Sequence, residues 1–294
     1  MKKFVWLLAG ACFAFPAMAA DAPGPGWAFM TPDANAPAPA AAGGGAAPIA
    51  APAVQAGALK IVLAGKGEAV RPCNTCHTPS GMGQPESANI RGLNAEYFAR
   101  QMADFKSGAR GGPRAGAMAG FAKGLSDDEV KAVAAYYAEL KPAKWTKVSE
   151  AAMAPKTIVG RNSQRTKLPG NETEAVGARI IEVADTPAAV RQMEQPAFAA
   201  YVPPGSLKVG RDIATTGGGK TEACIGCHGA QLKGEDDVPG IAGRSPVYIA
   251  RQIYSFKNGM RKGPIADIMK GVVEKLSDDD VIGVASYVGS LNPA

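Results

Sequence analysis

The sequence predicts an all-α protein built from two tandem helical domains, each of three to four helices, joined by a long irregular segment. Three observations carry this. The chain repeats at one offset: sliding it by 151 residues lays Gly92 on Gly243, Tyr97 on Tyr248 and Arg100-Gln101 on Arg251-Gln252. At that same offset Phe105-Lys106 meets Phe256-Lys257, and Leu125-Ser126-Asp127-Asp128 meets Leu276-Ser277-Asp278-Asp279. Helix start and stop signals recur at matching places in both copies. Finally, the pentapeptide Cys73-Asn74-Thr75-Cys76-His77 returns as Cys224-Ile225-Gly226-Cys227-His228.

Residues 1–19 read as a secretory signal, with Lys2 and Lys3 at the start, an apolar run from Phe4 to Phe15, and Ala17-Met18-Ala19 before the expected cleavage point. The run is too short to span a bilayer. Cys12 would leave with the signal; Ala9 does not suit a lipoprotein leader. Residues 20–55 are rich in Ala, Pro and Gly and bury too little to offset the entropy of ordering, so they read as a disordered arm. The first domain is expected over 56–141 and the second over 205–294.

Within the first domain a short helix begins near Leu59, and Asn94 caps a helix from Ala95 to about Ser107, with Gly108 as its stop. The second copy starts at Ser245 with Pro246 at the first helical position. Ser126-Asp127-Asp128-Glu129 is a capping box opening the last helix, where Val130, Val133, Ala134 and Tyr137 keep helical spacing. Val281, Val284, Ala285 and Val288 repeat that face, and Pro142 and Pro293 stand beyond the two ends. Between the domains, over 142–204, the periodicity disappears. There Ile158-Val159 and Arg179 to Val183 read as short strands or extended wrapping segments, and Trp145 favours packing over a free tether.

The repeated pentapeptide carries the chemistry. Two thiols one helical turn apart can both form thioethers to the vinyl groups of a porphyrin, and the adjacent imidazole then falls beneath the iron. A redox dithiol or half a zinc site is the bland reading of one Cys-x-x-Cys. Composition argues against both, because both histidines and four of the five cysteines of the chain lie in these two pentapeptides. Two covalently bound haem c groups are therefore expected, attached through Cys73, Cys76, Cys224 and Cys227, with His77 and His228 as axial ligands.

The sixth iron position must come from elsewhere. With no third histidine and no further cysteine in the mature chain, methionine remains, and only Met118 finds a methionine at the repeat offset, Met269. Each follows Pro113 or Pro264. The competing reading makes both methionines gap-filling core residues.

These motifs resemble the class I c-type cytochromes: a helix, C-x-x-C-H, a Tyr-x-x-x-Gln-x-x-x-Phe helix, a methionine loop and a Leu-Ser-Asp-Asp helix. The tandem arrangement is similar to the dihaem cytochromes c4. The resemblance covers about Ala56 to Lys141 and Gly205 to Ala294. It implies two cytochrome c domains in the periplasm that carry electrons, each with His/Met-ligated haem. It further implies redox protein partners: a dehydrogenase, a membrane complex or a terminal oxidase. Thr78 in place of Gly229, the long middle segment and the arm depart from the pattern.

The functional expectation is a soluble electron carrier, itself not an enzyme, with peripheral association at the membrane as the other placement considered. An electron-transfer subunit of a periplasmic dehydrogenase is the alternative, and a dihaem peroxidase or oxidoreductase a more distant one. Lys106, Arg110, Arg114, Lys257, Arg261 and Lys262 read either as a basic collar steering acidic partners or as charges that merely solvate helix ends. Lys233, opposite Met82 in the repeat, would raise the second potential if it points inward. The formal charge of +6 counts two lysines of the signal and omits four haem carboxylates, so it gives no support for nucleic-acid binding, and no such motif is present. Thr215 to Thr221 resembles a nucleotide loop but has Ala214 where a glycine is required.

Overall fold

The computed structural model describes residues 56–160, 164–185 and 197–293. The expected signal and arm, with Cys12, lie outside them. The first half runs α1 (Ala56–Ala64), a single turn α2 (Asn74–His77), α3 (Ala95–Ser107), α4 (Ala115–Gly124) and α5 (Asp127–Glu139). The second repeats this order as α6 (Ser206–Thr216), the turn α7 (Ile225–His228), α8 (Pro246–Lys257), α9 (Pro264–Val273) and α10 (Asp278–Ser290). Among the described residues no helix is long and apolar enough to cross a membrane.

The caps account for where these helices begin. Asn94 accepts from the backbone N–H groups of Glu96 and Tyr97 at 2.8 and 3.1 Å, satisfying donors that α3 itself cannot. Ser245 does the same for Tyr248 at 3.1 Å, ahead of Pro246. Both capping boxes form, Ser126 with Glu129 and Ser277 with Asp280. Gly108 closes α3 with φ of 82°.

Each half buries its own apolar cluster. In the first, Phe98, Met102 and Phe105 of α3 meet Val133, Ala134 and Tyr137 of α5. In the second, Ile249, Ile253 and Phe256 meet Val281, Val284 and Val288. Full burial of one such large side chain stabilises by about 1.5–3 kcal/mol. The crossing of α6 over α10 is tighter than its counterpart: a Cβ on Gly210 would stand 1.9 Å from the carbonyl oxygen of Gly283. The first half carries Leu59 and Ala132 there.

The two halves are mainly helical, and the all-α expectation fails between them. The segment 142–204, expected to be irregular, contains β1 (Thr146–Glu150), β2 (Met153–Pro155), β3 (Thr157–Val159), β4 (Arg165–Lys167), β5 (Thr173–Ala175), β6 (Ile181–Ala184) and β7 (Phe198–Val202). They form a three-stranded sheet in the order β1-β7-β6, with β1 parallel and β6 antiparallel to β7, and two antiparallel pairs, β2 with β5 and β3 with β4. Helical periodicity is absent because β7 alternates buried and half-buried residues while β6 is buried on both faces. A small further pair, β8 (Gly234–Glu235) and β9 (Val238–Pro239), follows α7.

This segment packs on both halves. The indole N–H of Trp145 donates to Gly83 O at 2.9 Å, and the ring is buried with Met82 and Phe198. On the other side, two carboxylates reach helix starts of the second half. Glu150 accepts from the N–H of Leu207 at 2.8 Å. Glu182, fully buried, accepts from Thr146 Oγ1 at 2.8 Å, Ser245 Oγ at 2.6 Å and the N–H of Val247 at 3.1 Å. An acid at a helix N-terminus is favoured by the dipole. Burial nevertheless pushes the Glu182 carboxyl up from its ordinary value. The stability this group lends is therefore complete below the unfolded pKa and declines as pH rises through the folded one. We predict that Glu182→Ala, which strands two hydroxyls and an amide in a dry site, costs roughly 2–4 kcal/mol. Glu182→Gln keeps an acceptor oxygen and should cost clearly less. Urea unfolding of both variants checks this, and equal midpoints for wild type and Glu182→Ala would contradict it.

Candidate functional site

The turn α2 begins from Cys73, whose own φ and ψ of −59° and −34° are already helical. It spaces Cys73 and Cys76 one turn apart and places His77 next to them. The chain then reverses. Thr78 takes a positive φ of 61°, a conformation that costs a β-branched residue about 1–3 kcal/mol, where Gly229 takes 79° without penalty. The reversal brings Ala88 back beneath the imidazole, 2.7 Å from His77 Nδ1. In the second half Pro239 O lies 2.8 Å from His228 Nδ1.

These two contacts fix the ring chemistry. A carbonyl oxygen only accepts, so each Nδ1 carries the proton and each Nε2 keeps its lone pair. Burial pushes both imidazoles below their ordinary pKa, which holds them neutral. Neutral imidazole with one nitrogen held and one free is the form that ligates iron. The thiols tell the same story. Burial raises Cys73 to about 11, and Cys224 is raised for the same reason. A reactive thiol needs a lowered pKa, which neither Cys73 nor Cys224 has. Among the described residues no three His, Cys, Asp or Glu side chains gather as a metal cage.

A cavity centred on the first half, with Tyr248, Arg251, Gln252 and Ser255 of the second half in its wall, is lined by Cys73, Cys76, His77 and Met118 together and by the apolar groups of Phe98, Met102, Phe121 and Val133. The four residues singled out in the sequence therefore meet at one place. In the second half Cys224 and Met269 both pack against the apolar cluster, and His228 is buried. Ile265 and Ile268 of α9 are 50% and 64% exposed, and Ile268 occupies the repeat position of Ala117, which lines the first cavity. The first half thus fits a large flat apolar group with two thioether attachments, a nitrogen ligand and a sulfur ligand, and the second half carries the same residue types at the repeat positions.

The structure takes Arg110 and Arg261 out of the expected basic collar, while Lys106, Arg114 and Lys262 remain exposed. Arg110 and Arg261 meet at the contact between the halves, paired as an antiparallel bridge. Arg110 donates to Gln101 Oε1 at 2.8 Å, Tyr248 Oη at 3.1 Å and Gln252 Oε1 at 3.2 Å. Arg261 returns the pattern, donating to Gln252 Oε1 at 3.0 Å and Gln101 Oε1 at 2.6 Å. Each guanidinium also covers a ring, Phe105 at 4.5 Å and Phe256 at 4.1 Å. Lys106 is ion-paired with Asp127 at 3.3 Å, and Lys257 donates to Leu276 O. Sequence reading missed the joining role because exposed and buried arginines look alike in a sequence; the matched Gln101 and Gln252 were the available signal. Lys233 is exposed, so the ordering of potentials built on it loses its basis.

The comparisons with known proteins agree with this geometry. Residues 62–136 match the family described as cytochrome c oxidase, cbb3-type, subunit III. A cytochrome c-554(548) from Halomonas halodenitrificans is 33% identical over 78 residues, which cover 26% of this chain and 94% of that protein. A protein named thiosulfate dehydrogenase electron acceptor, from Stutzerimonas stutzeri, is 29% identical over 231 residues, covering 77% of this chain and 82% of that one. Reduced recombinant cytochrome c4 from Pseudomonas stutzeri shares the fold, with a TM-score of 0.52 at 23% identity over 81% of this chain and 97% of that one. The chain belongs to the c-type cytochromes: it is a cytochrome c4-like electron-transfer protein with two haem c groups.

Proposed function

We propose that this protein is a periplasmic carrier that accepts electrons from a dehydrogenase and passes them to a terminal acceptor such as an oxidase. Residues 56–141 and 205–294 act as two domains, bridged by 142–204. Cys73 and Cys76 attach the first haem and His77 and Met118 ligate its iron; Cys224, Cys227, His228 and Met269 do the same for the second. The observation that carries the reading is the meeting of His77 and Met118 on one apolar cavity. Two protein ligands on one iron leave no position for a substrate.

Bound haem supplies a one-electron iron couple, and methionine ligation favours its reduced state. The residues of the chain do the rest. Ala88 and Pro239 hold the imidazoles in one tautomer, so the ligand does not change between oxidation states. Phe98, Met102 and Phe121 keep water away from the first iron. Arg110, Arg261, Gln101 and Gln252 hold the two halves at a fixed separation, which favours passage of an electron from one site to the other.

A dehydrogenase acting on an oxidisable sulfur anion is the donor class we favour. The support is the relative named thiosulfate dehydrogenase electron acceptor, which spans both halves. Function as a bound subunit of such a dehydrogenase shares the same chemistry and differs only in the lifetime of the complex.

The oxidised protein should show the weak near-infrared absorption of sulfur-to-iron charge transfer, and Met118→Ala and Met269→Ala should each remove about half of it. An unchanged band in both variants rules out both assignments. Mixed with a thiosulfate-reduced dehydrogenase, the oxidised protein should be reduced within the time of enzyme turnover, while turning over hydrogen peroxide no faster than free haem. Rapid peroxide turnover would contradict the carrier reading.

A further inference from the structure

The repeat makes Glu86 and Asp237 equivalent, and Arg251 and Arg100 equivalent, yet the two pairs differ. Arg100 donates to Asp237 Oδ2 at 2.5 Å and to Asp237 O at 3.1 Å, with the carboxylate 43% exposed. Arg251 donates to Glu86 O at 3.1 Å, matching only the second of these contacts. Glu86 Oε2 and Arg251 Nη1 are shielded from solvent, and neither meets a hydrogen-bond partner among the described residues. Both residues line the cavity that holds His77 and Met118. The first cavity therefore has in its wall a carboxyl with one buried oxygen that meets no hydrogen-bond partner among the described residues, whereas the equivalent acid of the second half is ion-paired and part-exposed.

We propose that Glu86 takes up one proton from solvent when an electron enters the first cavity and releases it when the electron leaves. The proposal rests on the assignment of the first haem to this cavity. The electron comes from the redox partner and the proton from solvent hydronium, whose O–H bond breaks as the O–H bond of the Glu86 carboxyl forms. An added electron removes positive charge from the cavity, so the anionic form of an acid in its wall becomes costlier. By linkage, protonation of that acid favours the reduced state equally.

The neighbours of Glu86 set where this happens. Burial pushes its carboxyl up to about 8, opposed by the positive charges of Arg251 on α8 and Arg114 at the start of α4, and assisted by the buried Glu182 of β6. Arg251 in turn faces Tyr248, Arg114 and Arg110. Glu86 as a residue is only half-buried, so a proton has a short way in. The sign follows: as pH rises through the neutral and mildly alkaline range, the first potential falls, by close to one proton per electron, and the second stays flat.

The test is a spectroelectrochemical titration of the full haem-loaded chain from about pH 6 to about pH 9, bracketing the raised carboxyl. Met118→Ala identifies which wave belongs to the first site. Glu86→Gln should flatten that wave, and Asp237→Asn should leave the second unchanged. Two flat waves in the wild type would overturn the proposal, as would a slope that persists in Glu86→Gln, since another acid would then be titrating. The infrared difference spectrum of the wild type gives a second readout. Reduction should add a protonated-carboxyl band that shifts on carbon-13 labelling of glutamate carboxyls; its absence would overturn the proposal even if Glu86→Gln does not fold. Failure of the carrier reading looks different, as loss of one haem wave or of the methionine band at every pH.

Discussion

The hydrogen bond from an imidazole Nδ1–H to a backbone carbonyl eleven residues downstream is the contact on which each half depends. It requires the chain to reverse straight after the histidine, which fixes the positive φ at residues 78 and 229. It also decides which nitrogen is free for iron. The first half accepts backbone strain at Thr78 to make that contact, and the buried Thr78 hydroxyl lies 3.1 Å from Ser80 Oγ. The second half reaches the same endpoint without strain at Gly229, but places Leu232 at φ of 57° where the first half has Gly81. Two different sequences thus converge on one ring orientation.

Around that shared centre the halves have diverged. Met82 is buried because Trp145 of the connecting segment lies over it, whereas its counterpart Lys233 is exposed. Glu86 is shut into a cavity wall while Asp237 stays in solvent reach beside Arg100. The duplication preserves the proposed ligands and the joining contacts of Arg110, Arg261, Gln101 and Gln252. It frees the surroundings to set two sites apart electrostatically, since an identical ligand set still leaves burial and charge to tune each iron.

Much of this was legible in the residues. The helix limits followed from caps such as Asn94 and Ser126, whose side chains have one obvious local use. The meeting of His77 and Met118 followed from the repeat, because a matched methionine is improbable unless position matters. The strands were only partly legible: Ile158-Val159 and Arg179 to Val183 read as short strands or extended segments and fall in β3 and β6, but β2, β4 and β5 are three residues each, too short for alternation to register. Glu182 and Glu150 were equally silent, because an acid that caps a helix in another part of the chain carries no local signature. The fate of Arg110 and Arg261 depended on which side of a contact they faced, and that is a property of the folded pair of halves.

The central claim is that both irons are closed by protein ligands, so that the molecule stores and passes electrons without touching substrate. Exposure of the fully reduced protein to carbon monoxide tests it most directly, because carbon monoxide binds ferrous haem wherever a position is open. The account predicts a Soret band unchanged at neutral pH. Rapid formation of a carbon monoxide adduct at either haem would contradict it.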